Sequence, residues 1–376
     1  MSNTGTGTSK PGNHAPDWSA AGPFLLAVFV VSRLLVISVA AFVETLFPLT
    51  GTHLSYSTAP FLTSLTTSDA VYYLGIAAQG YHAQPVSGAY NDWVFFPLFP
   101  ILTRIGSWAT FGDVALAGVL VSNVAFAIAI VLLYRISAPQ LGHGGALRAV
   151  TYVALAPGAV AFAMAYSDSL FLALSLGAFI AAEPRRYRLM GLLYGLAALT
   201  RPYGLILGLP LLVLIIRNDG RRPTRDWLWL AIGPIALIGF YLYLGQVTGD
   251  PLASIHGQAA WDEPRLSPMR GGSIETRGHP LWLILFAVLL TYTFLLVYFR
   301  TDHVPPAHAV YAILTLSTVL LSGRFLSLPR YLNVAWPFSW SLAARASPWF
   351  QQAWLALWAG LFVLFAFLNF TTRLAP

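Results

Sequence analysis

Asp69, Asp168, Arg201, Arg324 and Arg330 fall in loops or at the ends of apolar runs, in a chain whose charged residues make up only 9%. Charge beside so much apolar sequence is costly unless it is solvated or put to use. In TTSDAVYYLGIAAQGY (66–81), Ser68 and Asp69 read as a helix start, and Tyr72 and Tyr73 fall on the same helical face as the carboxylate. A carboxylate flanked by aromatic rings at a membrane surface has the means to take a proton from a sugar hydroxyl, while a plain N-cap is the structural alternative. Asp92, in AYNDWVFFPLFP, reads first as a solvated loop carboxylate and second as a site residue. Asp168, in AYSDSLFLALS, opens an apolar run, where it is a cap or part of a site.

The cations divide in the same way. Arg201 stands in LTRPYG, at the tip between two short apolar stretches. Its planar fork suits a phosphate, and a headgroup anchor is the alternative. Arg324, Arg330 and Tyr331 share SGRFLSLPRYLNVAWP (322–337), where two arginines run against the orientation bias described below and point to an anionic partner. His256, in GDPLASIHGQAAW, reads as a structural or exposed histidine before a functional one. No DxD pair, HExxH or glycine-rich phosphate loop is present, so neither a metal nor a nucleotide cofactor is expected.

The elements that must position these residues are membrane helices. A mean hydropathy of +0.67 with 57% hydrophobic residues excludes a soluble globule. About eleven apolar spans are expected, an all-α polytopic bundle, at 24–47, 114–134, 147–165, 169–182, 189–199, 203–216, 227–244, 281–299, 307–321, 332–344 and 349–370. Several fall short of the roughly 20 residues of a straight crossing, which suits helices broken beside a cavity. The net charge of +7, with Lys10 the only lysine, follows membrane orientation rather than nucleic acid binding. Arg135 with Arg148, Arg185 with Arg186 and Arg188, Arg217 with Arg221, Arg222 and Arg225, Arg300, and Arg345 all become cytoplasmic if successive spans alternate. The N-terminus is then inside and the C-terminus outside. That parity requires 94–111, which carries Pro97 and Pro100, to lie in the interface or re-enter. Residues 1–18 read as a disordered cytoplasmic tail, and 19–376 as a single transmembrane domain with long external loops at 48–113 and 246–280.

SDAVYYLGIAAQGY with FFPLFP, then AYSDSLFLALS, GLLYGLAALTRPYG, GDPLASIHGQAAW and SLPRYL, in this order, resemble the bacterial relatives of the PIG-V mannosyltransferases. The resemblance spans 69–332 and implies a GT-C fold with interfacial helices in the first external loop. It implies an inverting transfer of mannose from a polyprenyl-phosphate-mannose donor to an extracytoplasmic glycolipid, glycan or protein, at a bacterial plasma membrane. By the same resemblance Asp69 is the catalytic base, and Asp168, Arg201, Arg330 and Tyr331 line the site. The family often has tryptophan just before the aspartate, where this chain has Ser68. A GT-C transferase using another lipid-linked sugar, such as arabinose, and a lipid or sugar transporter are the rival readings. A transporter needs ionisable groups near mid-membrane, and Arg33 is the one charge well inside a span.

The absence of cysteine makes the orientation directly testable. Ser267→Cys is expected to react with a membrane-impermeant thiol reagent in intact cells, and Asn218→Cys only after lysis. Reversed labelling would place the site on the cytoplasmic face.

Overall fold

In lipid the backbone has no water to bond, so a crossing must satisfy its own hydrogen bonds within helices. The computed structural model describes residues 16–47, 55–85, 91–220, 224–261, 304–322, 328–344 and 347–371. Within them the chain is built of helices and turns, with a single isolated bridge between Ser55 and Thr67. Five described helical stretches are long and apolar enough to cross a membrane: Trp18–Leu46, Val114–Ala154, Pro202–Asp219, Arg225–Thr248 and Pro348–Phe370. The expected span 281–299, Arg324 and the second external loop beyond Trp261 lie outside the described residues.

The first helix starts at Trp18, six residues ahead of the expected span, because Asp17 caps it by accepting from Ala20 N at 3.3 Å. Trp18 packs edge-on against Tyr134 at 5.2 Å, which ties this start to a neighbouring helix. One side of the helix buries Ala21, Leu25, Val36, Ala40 and Val43, and the other leaves Leu26, Val31, Leu34 and Phe42 exposed, as a lipid-facing helix requires.

Val114–Ala154 is 41 residues long but is two helices joined at a kink at Gly142, whose φ of 67° lies in the region glycine adopts without strain. Tyr134 Oη and His143 Nδ1 meet at 2.9 Å across the kink. The expected crossing 147–165 is only partly helical. Its helix ends at Ala154, and the chain continues through a single 3-10 turn, Ala159–Phe162. Pro157 lacks a donor and disfavours helical backbone at Ala156, which stops the helix there. The expected crossing 332–344 is likewise two short helices, Leu328–Asn333 and Pro337–Ala343, parted before Pro337.

Asp168–Ala182 agrees with expectation and is buried on nearly every side. Its C-terminal end meets the arginine-rich end of the bundle, where Arg185 Nε pairs with Asp219 at 3.1 Å and Asn218 donates to Ala182 O at 2.9 Å. Its N-terminal end lies beside the first-loop helix Asp69–Gln79, where Ser167 Oγ meets Tyr73 Oη at 2.8 Å, and Leu98–Ser107 belongs to the same loop. These have 11 and 10 residues, too few at about 1.5 Å per residue to span the hydrocarbon core by themselves. Glu44, near the end of the first helix, anchors this loop by accepting from Phe61 N at 2.9 Å and Ser64 N at 3.0 Å. Leu65 O then accepts from Ala165 N at 3.0 Å, which brings the start of Asp69–Gln79 beside the start of Asp168–Ala182.

Gly158 sets one further contact. A Cβ there would stand 2.3 Å from Pro329 O and 2.5 Å from Arg330 N, so only hydrogen lets the broken segment approach the backbone that carries Arg330. Gly158→Ala is therefore expected to destabilise the protein by about 1–3 kcal/mol through overpacking. An unchanged melting temperature in detergent would deny that this approach is tight.

Candidate active site

Two carboxylates and two guanidiniums from four distant parts of the chain meet at one end of the bundle. Asp69 and Asp168 are each the first residue of a helix, where the backbone dipole favours negative charge. Neither caps its helix through its side chain, so the N-cap alternative does not describe them. Pro202 holds Arg201 in extended backbone, φ −156° and ψ 150°, which turns the chain out of the preceding helix. Arg330 follows Pro329 in Leu328–Asn333.

Asp168 is fully buried and is shared by both arginines. Arg330 Nε donates to its two oxygens at 3.2 and 3.1 Å, and Arg201 Nη2 pairs with Oδ2. Arg330 then reaches across with Nη1 to Asp69 Oδ2 at 2.6 Å. The Asp69 side chain keeps 25% exposure, against 5% for Arg330. Burial works against the charge on Arg330, but Asp69 and the surrounding tyrosines outweigh it and hold the guanidinium above its usual range. Two charges of each sign cancel, which lets the cluster sit in an apolar bundle.

Aromatic rings enclose the cations. The Arg330 guanidinium lies 4.5 Å from the centre of the Tyr166 ring, and Tyr331 is within 5.4 Å of Arg330 and 6.0 Å of Arg201. Arg201 Nη1 donates to Tyr203 Oη, and its Nε donates to Ser167 Oγ at 3.2 Å. Ser167 Oγ also meets Tyr73 Oη at 2.8 Å. Tyr72 stands one layer out, stacked on Phe95 at 5.0 Å, while Tyr73 meets the same ring edge-on. Ser68 has φ 56° and ψ −126°, a strained conformation for a residue with a Cβ, directly before Asp69.

Of the residues nominated from sequence, Asp69, Asp168, Arg201, Arg330, Tyr331 and Tyr73 thus converge, with Tyr72 beside them. Asp92 does not join the ionic cluster, nor is it solvated. It is buried against His82, whose Nδ1 is 2.8 Å from Oδ2, and burial raises its pKa despite that partner. His256 also lies apart, paired with Asp250 at 2.6 Å, an exposed contact that lowers the carboxylate's pKa. Tyr166, Ser167 and Tyr203 were missed, although they sit in AYSD and RPY beside nominated residues. Among the described residues no three His, Asp or Glu side chains gather as metal ligands, and both carboxylates of the cluster are engaged by guanidinium.

Comparison with solved structures identifies the fold. The chain is similar to the Archaeoglobus fulgidus oligosaccharyltransferase in its apo form, with TM-score 0.51 and 13% identity over 93% of this chain and 56% of that one. It is also similar to ArnT from Cupriavidus metallidurans bound to undecaprenyl phosphate, with TM-score 0.51 and 16% identity over 94% of this chain and 76% of that one. The fold is the GT-C fold. The chain spans little more than half of the oligosaccharyltransferase's length. Residues 97–244 match the model of the family described as dolichyl-phosphate-mannose-protein mannosyltransferase. That stretch holds Asp168 and Arg201 but stops between Asp69 and Arg330 at either side. The curated proteins give no match. In this GT-C bundle the polar cluster therefore joins the first loop, the matched region and the C-terminal part.

Asp168 holds two buried cations, whereas Asp69 holds one of them from a partly exposed position. Asp168→Asn should therefore destabilise by roughly 3–5 kcal/mol, the cost of breaking a buried ion pair from one side, and Asp69→Asn by much less. Equal melting temperatures for the two variants would contradict this division of roles.

Proposed function

We propose that this protein is an inverting glycosyltransferase that moves mannose from a polyprenyl-phosphate-mannose donor to a hydroxyl of an extracytoplasmic glycolipid, glycan or protein. The observation that carries the reading is the shared guanidinium, in which Arg330 links a partly exposed carboxylate, Asp69, to a fully buried one, Asp168. The GT-C fold of the chain and the family match over 97–244 support the reaction class, and the family's description supports mannose as the sugar. ArnT, one of the proteins sharing the fold, is described as bound to undecaprenyl phosphate, which supports a lipid phosphate as the carrier.

In this mechanism the donor phosphate binds at Arg201 and Arg330, and the tyrosines around them exclude water. A guanidinium offers five donors, so Arg330 can take up a phosphate oxygen while its Nε stays on Asp168. Turning Nη1 to the phosphate loosens its hold on Asp69 and leaves that carboxylate free to act as a base. The acceptor oxygen then forms a bond to the anomeric carbon as the bond from that carbon to the phosphate oxygen breaks. The acceptor proton passes to Asp69, and the bonding pair leaves with the lipid phosphate, whose growing charge the arginines stabilise. Attack from the face opposite the phosphate inverts the anomeric centre.

The test is Asp69→Asn, which keeps the size of the side chain and leaves Arg330 its contact with Asp168. Transfer from synthetic polyprenyl-phosphate-mannose is expected to fall by about 10²–10⁴, with donor binding retained. Transfer within a few-fold of wild type would remove Asp69 as the base. Faster transfer from a polyprenyl-phosphate-arabinose would replace mannose as the sugar while keeping the mechanism.

A further inference from the structure

Arg33 lies near the middle of Trp18–Leu46, buried at 8% exposure, and among the described residues it has no acidic partner. Its Nη1 donates to Phe162 O at 2.9 Å and to Asn123 Oδ1 at 3.1 Å, and its face covers the Phe126 ring at 4.5 Å. Among the described residues Nε and Nη2 have no hydrogen-bond partner. A buried cation with unmade hydrogen bonds inside a span is expensive, so the bonds it does make mark where it acts.

One of those bonds goes to the broken segment that follows Ala154, and the other to Asn123, which itself donates to that segment. A stretch that leaves helical geometry inside an apolar bundle exposes carbonyls that no backbone donor reaches. Here side chains supply the donors. Phe162 O accepts from Arg33, from Ser122 Oγ at 3.3 Å and from Ser169 Oγ at 3.1 Å. Ala163 O accepts from Asn123 Nδ2 at 3.1 Å, and Tyr166 O accepts from Ser122 Oγ at 3.3 Å. The same segment carries Gly158, against which the backbone of Arg330 packs, and ends in Tyr166, Ser167 and Asp168, which hold both arginines of the cluster. One stretch of backbone thus has the polar brace on one side and the ionic cluster on the other.

We propose that Arg33, acting with Ser122 and Asn123, is a positioning residue for sugar transfer, fixing the break at 156–167 so that Asp168 presents Arg201 and Arg330 to the donor phosphate. The proposal rests on the glycosyltransferase reading for its catalytic consequence and on the hydrogen bonds alone for its structural one. A guanidinium suits the place because it reaches a carbonyl and an amide oxygen together while its face stacks on Phe126. Arg33→Met removes the donors and keeps most of the length. Arg33→Lys keeps the charge but gathers its donors on a single nitrogen.

The experiment uses the full-length protein in detergent, with amide hydrogen exchange of the peptides covering 156–168 and transfer kinetics measured on the same preparations. Arg33→Met is expected to speed exchange in 156–168 and to lower kcat about tenfold or more per donor-binding site, because small misplacements of catalytic groups carry large rate costs. Arg33→Lys is expected to restore much of both. Asn123→Ala, which removes the bonds to Ala163 O and to Arg33 Nη1 but keeps the charge of Arg33, should move both readouts the same way if Arg33→Met fails to fold. A residue that only stabilised the fold would reduce the number of donor-binding sites and leave kcat per site unchanged, which would overturn the proposal. Unchanged exchange in 156–168 in both Arg33→Met and Asn123→Ala would overturn it as well. If the wild type transfers no sugar from any polyprenyl-phosphate donor, the functional reading fails, and exchange in 156–168 decides the brace by itself.

Discussion

The structure depends on one buried carboxylate. Asp168 is out of contact with solvent and stands between Arg201 and Arg330, so neither arginine can leave without exposing an unpaired charge to an apolar interior. That constraint fixes the end of Asp168–Ala182, the turn at Pro202 and the short helix Leu328–Asn333 relative to one another. Asp69 joins the same network from the first loop but stays partly exposed. The asymmetry between two carboxylates that share one guanidinium gives the cluster a fully buried half and a partly exposed half.

The irregular backbone between Ala154 and Asp168 makes that asymmetry possible. A continuous helix through Pro157 and Gly158 would satisfy its own carbonyls except that of Val153, but it would neither admit the Pro329–Arg330 backbone nor lay Leu65 alongside Ala165. The break brings both together, at the cost of carbonyls that Ser122, Asn123, Ser169 and Arg33 must satisfy. Packing of the aromatic walls follows from the same placement, with Tyr166 beneath Arg330 and Tyr73 joined to Arg201 through Ser167. Strain at Ser68 sits where the first loop must turn sharply to deliver Asp69 to this network.

Much of this was legible along the chain. Apolar runs fixed the helical membrane class, since only helices or closed barrels satisfy a backbone in lipid. The distribution of arginines separated the two ends of the bundle, and Asp69, Asp168, Arg201 and Arg330 stood out because charge in such surroundings demands a partner. Proline at 157 and 337 carried the signal for the two broken crossings, but hydropathy averaging over each run concealed it. Asp92 was misjudged as solvated for a related reason, because its burial depends on His82 and on the fold of a loop that periodicity does not describe.

The sequence by itself determined the fold class, the ends of several helices and the identities of the ionic residues, because these follow from local composition, proline and the cost of charge near lipid. Which charges pair was decided only by tertiary structure. Asp69 and Arg330 are 261 residues apart in the chain, and their contact requires a glycine at 158, a helix stopped at Ala154 and a first loop anchored by Glu44. The same holds for Arg33, which reads in sequence as an isolated charge in a span and acquires its role from Phe162, 129 residues away. Hydrogen bonds and ion pairs act at a few ångströms in space, and separation along the chain leaves no trace of them until the helices have packed.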